Sequence, residues 1–314
     1  MPEDRSFPEF RCLIPYNRFT INLSLNDSKP ISRFVEATIR GGFGITLRKL
    51  VCPSVEKNCA ECILRHSCIY CYLFETTPQS NSPRLKNYKA LPRPFTLWCE
   101  QNENTINIEL VLIGNAIKTL PYFIYTLRKL GSQGLGKERI RYELKTVRAG
   151  EKVVYDNSSD EIDMQFAKDK LDIKQGKAQT GRCVLNFYSP MILRKNGRIV
   201  DGYDSHAFFS TLMRRITSLF VIHCDGENFD DLKPLLKLWE EKIKAQTSLK
   251  RVHKSRFSTR QNRRIKYDGF TGEVILEGDL GTFMPFLNAG EILSVGKNTA
   301  FGYGKYKIKE IEMR

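Results

Sequence analysis

The 314-residue chain carries 50 Lys and Arg against 35 Asp and Glu, a formal net charge of +15. That length suffices for two domains with separate cores, and that charge attracts polyanions, nucleic acid first and an anionic membrane surface second. No apolar run approaches the roughly 20 residues of a spanning helix, and Met1-Pro-Glu-Asp-Arg5 lacks the apolar core of a signal peptide, so a cytoplasmic protein with no membrane partner is expected.

The first strand is expected at Arg18 to Leu25, with Phe19, Ile21, Leu23 and Leu25 on one face and Thr20, Asn22 and Ser24 on the other. Asp27, Ser28 and Pro30 then open a helix to about Leu50, with Ile31, Phe34, Val35 and Ile39 as its apolar stripe. Arg40-Gly-Gly-Phe-Gly44 inside it calls for a bend or close packing, because each glycine costs a helix roughly 1 kcal/mol relative to alanine. Five of the nine cysteines follow, Cys52, Cys59, Cys62, Cys68 and Cys71. In a chain without secretory features this density points to metal rather than disulfides. Cys52, Cys59, Cys62 and Cys68 are the expected ligands, with Cys71 as an alternative. Structural zinc in an irregular knuckle is preferred and an iron-sulfur cluster is second. Residues 76–94 read as an extended loop. Strands at Phe95 to Glu100 and Thr105 to Ile113, a helix at Leu120 to Leu130 and a strand at Arg139 to Val147 complete a βαββαβ order, the ferredoxin-like plan.

Residues 150–181 are polar and out of phase, and read as a linker or insertion. The pattern resumes with a strand at Cys183 to Tyr188. A helix at Ser205 to Val221 is expected to bury Phe208, Phe209, Leu212, Ile216, Leu219 and Phe220, leaving Arg214 and Arg215 outside that arc. A second helix is expected at Leu232 to Gln246. Next comes the most basic segment, 250–266, with Phe257 among its charges and Tyr267 directly after them. Its Lys250, Arg251, Lys254, Arg256, Arg260, Gln261, Arg263 and Arg264 are candidate RNA contacts. Strands at Arg264 to Tyr267 and Gly272 to Leu280, a helix near Phe283 to Ala289 and a strand at Tyr303 to Ile311 follow. Before that last strand, Gly296, Gly302 and Gly304 punctuate a loop holding Lys297, with Lys305 just beyond. Such a loop either brings backbone N–H groups and Lys297 close to phosphate or merely turns the chain into its final strand. It has neither the Walker nor the Rossmann spacing.

Several of these residues together resemble one family. They are Gly269-Phe-Thr-Gly272, Gly278-Asp-Leu280, Phe286-Leu287, Gly290-Glu291, Gly296-Lys297-x4-Gly302-x-Gly304, Arg256-x-Ser258-x-Arg260-Gln261, Leu212-x-Arg214-Arg215-x3-Leu219 and Arg40-Gly-Gly-Phe-Gly44. As a set they are similar to the CRISPR-associated RAMP (repeat-associated mysterious protein) superfamily, and within it to the repeat-processing endoribonuclease. The resemblance implies an α+β chain of tandem ferredoxin-like (RRM-like) domains: residues 1–150 with a cysteine-rich insertion at 51–94, a linker or insertion at 151–181, and residues 182–314 with the glycine-rich loop at 296–304. It implies that precursor RNA is cut into guide RNAs without metal, by 2′-OH attack on the adjacent phosphate, so that no cofactor serves catalysis. Repeat RNA and guide RNA are the implied partners, with CRISPR effector subunits possible beside them. The alternative within the superfamily is a non-catalytic subunit that grips guide RNA in an effector complex. Family members commonly place a histidine near the first N-terminal helix, and this chain has none there. Its candidates for proton transfer are therefore His206, in the first turn of a helix, and His253, inside the basic segment. His223, beside Cys224, reads as a packed structural residue.

Overall fold

The computed structural model describes residues 10–27, 31, 34–53, 58–76, 91–227, 232–258 and 263–313. Strand β1 (Arg11–Leu25) is longer than its expected 18–25. Its C-terminal half pairs with β3 (Thr105–Ile113) and β4 (Tyr142–Ala149), while its N-terminal half, Arg11 to Tyr16, pairs with β6 (Asp169–Lys174). Helix α1 (Val35–Val51) starts later than the sequence suggests. It runs unbroken through its glycines because they are contact points. A Cβ on Gly42 would stand 3.0 Å from Leu130 of α3 (Leu120–Gln133), and one on Gly44 would stand 2.9 Å from Phe74 of α2 (Ile69–Phe74).

With β2 (Phe95–Gln101) and β5 (Lys152–Asp156), the first sheet has the order β2-β3-β1-β4-β5, and β6 joins β1 beside it. The expectation of an irregular linker at 151–181 is thereby corrected, since this stretch supplies two strands of the N-terminal sheet. The signal is short. β5 buries only Val154 and Tyr155, and β6 offers only Leu171 and Ile173 between charged neighbours, too few positions for a period of two to stand out.

The second half follows with β7 (Thr180–Met191), a small hairpin of β8 (Arg194–Lys195) and β9 (Arg198–Ile199), helices α4 (Ser205–His223) and α5 (Lys233–Lys242), and strands β10 (Ile243–Ser258) and β11 (Arg263–Asp279). Helix α6 (Leu280–Leu293) and strand β12 (Lys307–Met313) close it. Its sheet has the order β10-β11-β7-β12, with every pair antiparallel. Two expectations change here. The helix foreseen to Gln246 ends at Lys242, and the two strands foreseen between 264 and 280 are one strand, so that β10 and β11 pair from Ile243↔Gly278 to Ser258↔Arg263. The basic segment is a strand because it is half of this hairpin, a pairing between distant residues that local pattern does not announce.

Each sheet is covered by its helices over its own core, and β1 is shared between the two. Phe19, Ile21 and Leu23 lie in the N-terminal core, whereas Cys12 and Ile14 lie in the C-terminal one with Phe187, Phe208, Trp239 and Phe283. A third cluster, Phe34, Ala37, Ile192, Tyr267 and Tyr303, bridges α1, the end of β7, β11 and the glycine-rich loop. The site is built at this junction. Among the described residues no helix is long and apolar enough to cross a membrane.

Candidate nucleic-acid interface

The glycine-rich loop is fastened to the end of β7 by its backbone. Lys297 N–H donates to Ile192 O (3.0 Å), Gly304 N–H to Pro190 O (2.9 Å) and Val295 N–H to Gly304 O (2.8 Å). Gly296, Gly302 and Gly304 all have positive φ, at 94°, 78° and 75°. A Cβ on Gly304 would lie 1.7 Å from Val295 O, one on Gly296 2.7 Å from Ile192 O, and one on Gly302 2.8 Å from the Glu36 side chain. These three candidate RNA contacts are therefore glycines for the sake of protein packing. They fold the loop so tightly that Lys297 is projected from it.

Lys297 projects into a cleft of ≈ 560 Å³ between the two halves. Arg40 of α1, Arg93, Arg194 of β8, and Arg214 and Arg215 of α4 line it with Lys297, and no Asp, Glu or His is among the described lining residues. Arg40 lies between two rings, 4.4 Å from the centroid of Phe301 and 4.7 Å from that of Phe74. Arg215, expected outside the apolar arc of α4, is instead buried. Its Nε donates to Leu293 O (2.7 Å), while Nη2 is buried without a hydrogen-bond partner. Burial pushes its guanidinium down to about 9. Burial, then the neighbouring Arg194, lowers the Lys297 ammonium below the ordinary lysine value. A cleft that concentrates like charge and leaves a buried guanidinium N–H unpaired is suited to an anion. The sequence carries a signal for it: Thr211, Arg214, Arg215 and Ser218 stand at i, i+3, i+4 and i+7 of an otherwise apolar helix and line the cleft together.

Lys305 is corrected. It is buried against Glu109, with which it forms an ion pair, so its ammonium braces β12 to β3 and does not face a ligand. In the basic strand, Arg251 pairs with exposed Asp201, Lys250 is exposed, and the Lys254 ammonium lies 4.8 Å over the Phe34 ring. Arg260 and Gln261 lie outside the described residues. Arg256, Arg263 and Arg264 are placed in β10 and β11 by backbone alone. From Val252 to Ser258, β10 pairs with β11 residues that do not themselves pair with β7, which makes a two-stranded ribbon continuing past the sheet. Its root, Tyr267, packs on Phe34, Tyr303 and the Phe301 that also touches Arg40. Ribbon and cleft thus share one wall.

The two histidine candidates are outside the cleft lining. His206 Nδ1 is 2.7 Å from Glu240 Oε1, and His253 Nδ1, on the ribbon, is 3.1 Å from Asp268 Oδ1. His223 is buried, as expected for a structural residue, with Nε2 3.0 Å from Pro92 O and its pKa pushed down to about 4 by burial. In the cysteine-rich loop, Cys71 is buried, and burial, then the neighbouring Cys68 and Cys59, pushes its thiol up to about 12. Cys52 ends α1, its N–H donating to Arg48 O (2.9 Å). Among the described residues no group of three or more His, Cys, Asp or Glu side chains is placed to hold a metal ion.

A family model described as an N-terminal domain matches residues 13–167, and the model of the CRISPR-associated endoribonuclease Cas6 matches residues 185–306. An uncharacterized protein of Archaeoglobus fulgidus is 25% identical over 291 residues, 88% of this chain and 92% of that one. Among solved structures, a Cas6 product complex is similar over 94% of this chain and 99% of its own, at 15% identity and a TM-score of 0.56. Thermus thermophilus Cas6 is similar over the same shares, at 14% identity and a TM-score of 0.52. At such identities the structures speak for the fold, while the sequence match over 185–306 spans α4, the ribbon and the glycine-rich loop, the elements that build the cleft. The C-terminal half thus matches the Cas6 endoribonuclease model, and the whole chain shares the fold of the Cas6 structures.

Proposed function

We propose that the cationic cleft holds the scissile phosphate of a CRISPR precursor repeat RNA, and that the chain makes guide RNAs by promoting attack of the 2′-OH on it. The observation that carries this reading is the buried Arg215, with Nη2 unpaired, among five other cations and no described acid. In the reaction the 2′-O–P bond forms and the P–O5′ bond breaks, the 2′-OH proton leaves and the 5′-oxygen gains one, giving a 2′,3′-cyclic phosphate and a 5′-OH. The phosphorane between carries additional negative charge. Arg214, Arg215 and Arg40 offset it in a partly enclosed site, where fixed cations stabilise charge far better than water does. Proton transfer needs a group that gives up its proton more readily than guanidinium. Lys297, lowered by burial and Arg194, is the one amine lining the cleft among the described residues. The chemistry uses no metal ion. The same reading takes each half as a ferredoxin-like unit, supported by the βαββαβ order and by sheets in which the four common strands run second, third, first, fourth.

The test is incubation of the purified protein with labelled repeat RNA in EDTA. A single cut leaving a cyclic phosphate is expected. Lys297→Ala should slow the cut on the order of 100-fold, the usual contribution of a positioned proton-transfer group, while Lys297→Arg should restore RNA affinity but not rate. Retention of RNA without any cut would favour the second reading, a subunit that holds guide RNA in an effector complex. The placement of His206 and His253 away from the cleft is the observation on that side.

A further inference from the structure

We infer that α3 carries a second RNA contact surface, on which Tyr122 and Tyr125 stack on bases of the single-stranded RNA flanking the repeat while Lys118 and Lys129 hold its phosphates. The inference rests on the cleft taking the repeat itself. One face of α3 is used by the fold, since Leu120, Phe123, Ile124, Leu127 and Leu130 are buried in the N-terminal core. The opposite face is not. Lys118, Tyr122, Tyr125 and Lys129 stand at i, i+4, i+7 and i+11. With about 3.6 residues and 5.4 Å per turn, they fall on one line about 16 Å long. All four are exposed, Tyr122 at 47% and Tyr125 at 56%. Among the described residues none of the four side chains has a hydrogen bond, ion pair or ring contact.

Charge and chemistry name the occupant. Residues 114–137 contain no Asp or Glu. Helix α1, which packs alongside with Gly42 against Leu130, adds exposed Lys49, and its own acid, Glu36, is buried. A cationic strip without acids suits a polyanion, and phenol rings between its lysines suit unpaired bases, because every base offers a π face. A paired segment presents no such faces, which selects single-stranded RNA. The strip also lies where RNA leaving the cleft can reach it. The 3-10 turn Gly114–Thr119, which carries Lys118, meets the C-terminal end of α4. There a Cβ on Gly114 would lie 1.9 Å from His223 O, and Asn115 donates to Asp225 (2.9 Å). Ser218, on the same helix, lines the cleft. At the other end, the last turn of α3 borders a cavity of ≈ 270 Å³ lined by Arg128, Ser132, Arg141, Asn26, Asn157 and Glu143. Arg128 pairs with Asp160 and Glu143 with Lys145, while the exposed Arg141 side chain has no partner among the described residues and extends the line of cations.

The test compares two labelled RNAs on the full-length protein, the repeat alone and the repeat extended on both sides by unstructured oligouridine. Wild-type protein should bind the extended RNA more tightly. Tyr122→Ala combined with Tyr125→Ala should weaken binding of that RNA about tenfold or more, the usual effect of losing one or two base stacks. Affinity for the repeat alone and the rate of its cleavage in EDTA should stay at wild-type values. Tyr122→Phe combined with Tyr125→Phe should bind like wild type, because stacking needs the ring and not the hydroxyl. Lys118→Ala combined with Lys129→Ala should make the salt slope for the extended RNA shallower by about 1.4, at about 0.7 per phosphate. Equal wild-type affinity for the two RNAs, or normal hold on the extended RNA by the double alanine variant, would overturn the inference while the cleft reading stands. Failure to bind the repeat at all would overturn both. A protein that co-purifies with wild type and is lost from the double alanine variant, at unchanged RNA affinity, would overturn it in favour of a protein docking face.

Discussion

His223 shows how a buried side chain turns into a pH response. Its ring is enclosed between Pro92 O and the edge of Tyr72, with Nδ1 unpaired, which fits a neutral ring donating from Nε2. Burial lowers its pKa from the ordinary 6.5 to about 4. The unfolded chain therefore binds a proton that the folded chain refuses between those values, so stability rises with pH across that window and is lost as pH falls from 6.5 toward 4. Thermal melts should show this acid sensitivity, on the order of 3 kcal/mol from the size of the shift. His223→Asn keeps a donor for Pro92 O and should flatten the dependence between pH 4 and 6.5. An unchanged profile in that variant would place the acid-sensitive group elsewhere. Lys305 makes a related point about reading charge from sequence. It looked like a phosphate contact because it follows a glycine loop, yet it is spent on Glu109.

At the scale of elements, the glycine-rich loop separates two roles that one motif can have. Gly304 has φ of 75° and a Cβ there would meet Val295 O, so Gly304→Ala should destabilise the fold by about 1 to 3 kcal/mol, read as a lower melting temperature. The folded fraction should keep its RNA affinity, because the loop's contribution to the ligand is Lys297 and not its backbone. Loss of affinity in well-folded Gly304→Ala protein would mean that the backbone itself approaches RNA. Helix α4 divides its labour by face in the same way. Phe208, Phe209, Leu212, Ile216 and Leu219 fill the core, while Thr211, Arg214, Arg215 and Ser218 look into the cleft. The Asp204 cap, accepting from Ala207 N–H at 2.7 Å, sets where that helix begins and hence which residues fall on each face.

For the whole molecule, affinity should be dominated by phosphate contacts at the junction of the halves. Six cations line the cleft, and each phosphate neutralised on a single strand contributes about −0.7 to the slope of log K against log salt, so a limiting slope of about −4 is expected. Replacing Arg214 and Lys297 together by alanine should make the slope shallower by more than one unit. A slope unchanged by that pair would move the footprint onto the ribbon, where Lys250 and Lys254 stand. The cleft exists because β1 serves both cores and the third cluster locks α1, β11 and the glycine-rich loop together, which brings Arg40 within reach of Arg215 and Lys297, more than 170 residues away in the chain.

Periodicity alone determined most elements. The alternation of β3, the apolar arc of α4 and the repeated βαββαβ order are local properties of side-chain spacing, legible wherever four or more apolar positions keep phase. The glycine motif and the basic run were legible as chemistry for the same reason. Tertiary structure decided what those groups face. Arg215 was read as outward because a helical arc says only which residues share a side, and the opposite side of α4 turned out to be the wall of a cleft. Gly296 and Gly304 were open between ligand and scaffold until the carbonyl oxygens of Ile192 and Val295 were found against them. His206 and His253 are candidates by residue type, and only the tertiary placement, which sets Glu240 and Asp268 beside them, takes them away from the cationic cleft. Contacts between segments distant in sequence are chosen by packing of the whole chain, so a motif can name a chemistry without naming its partner.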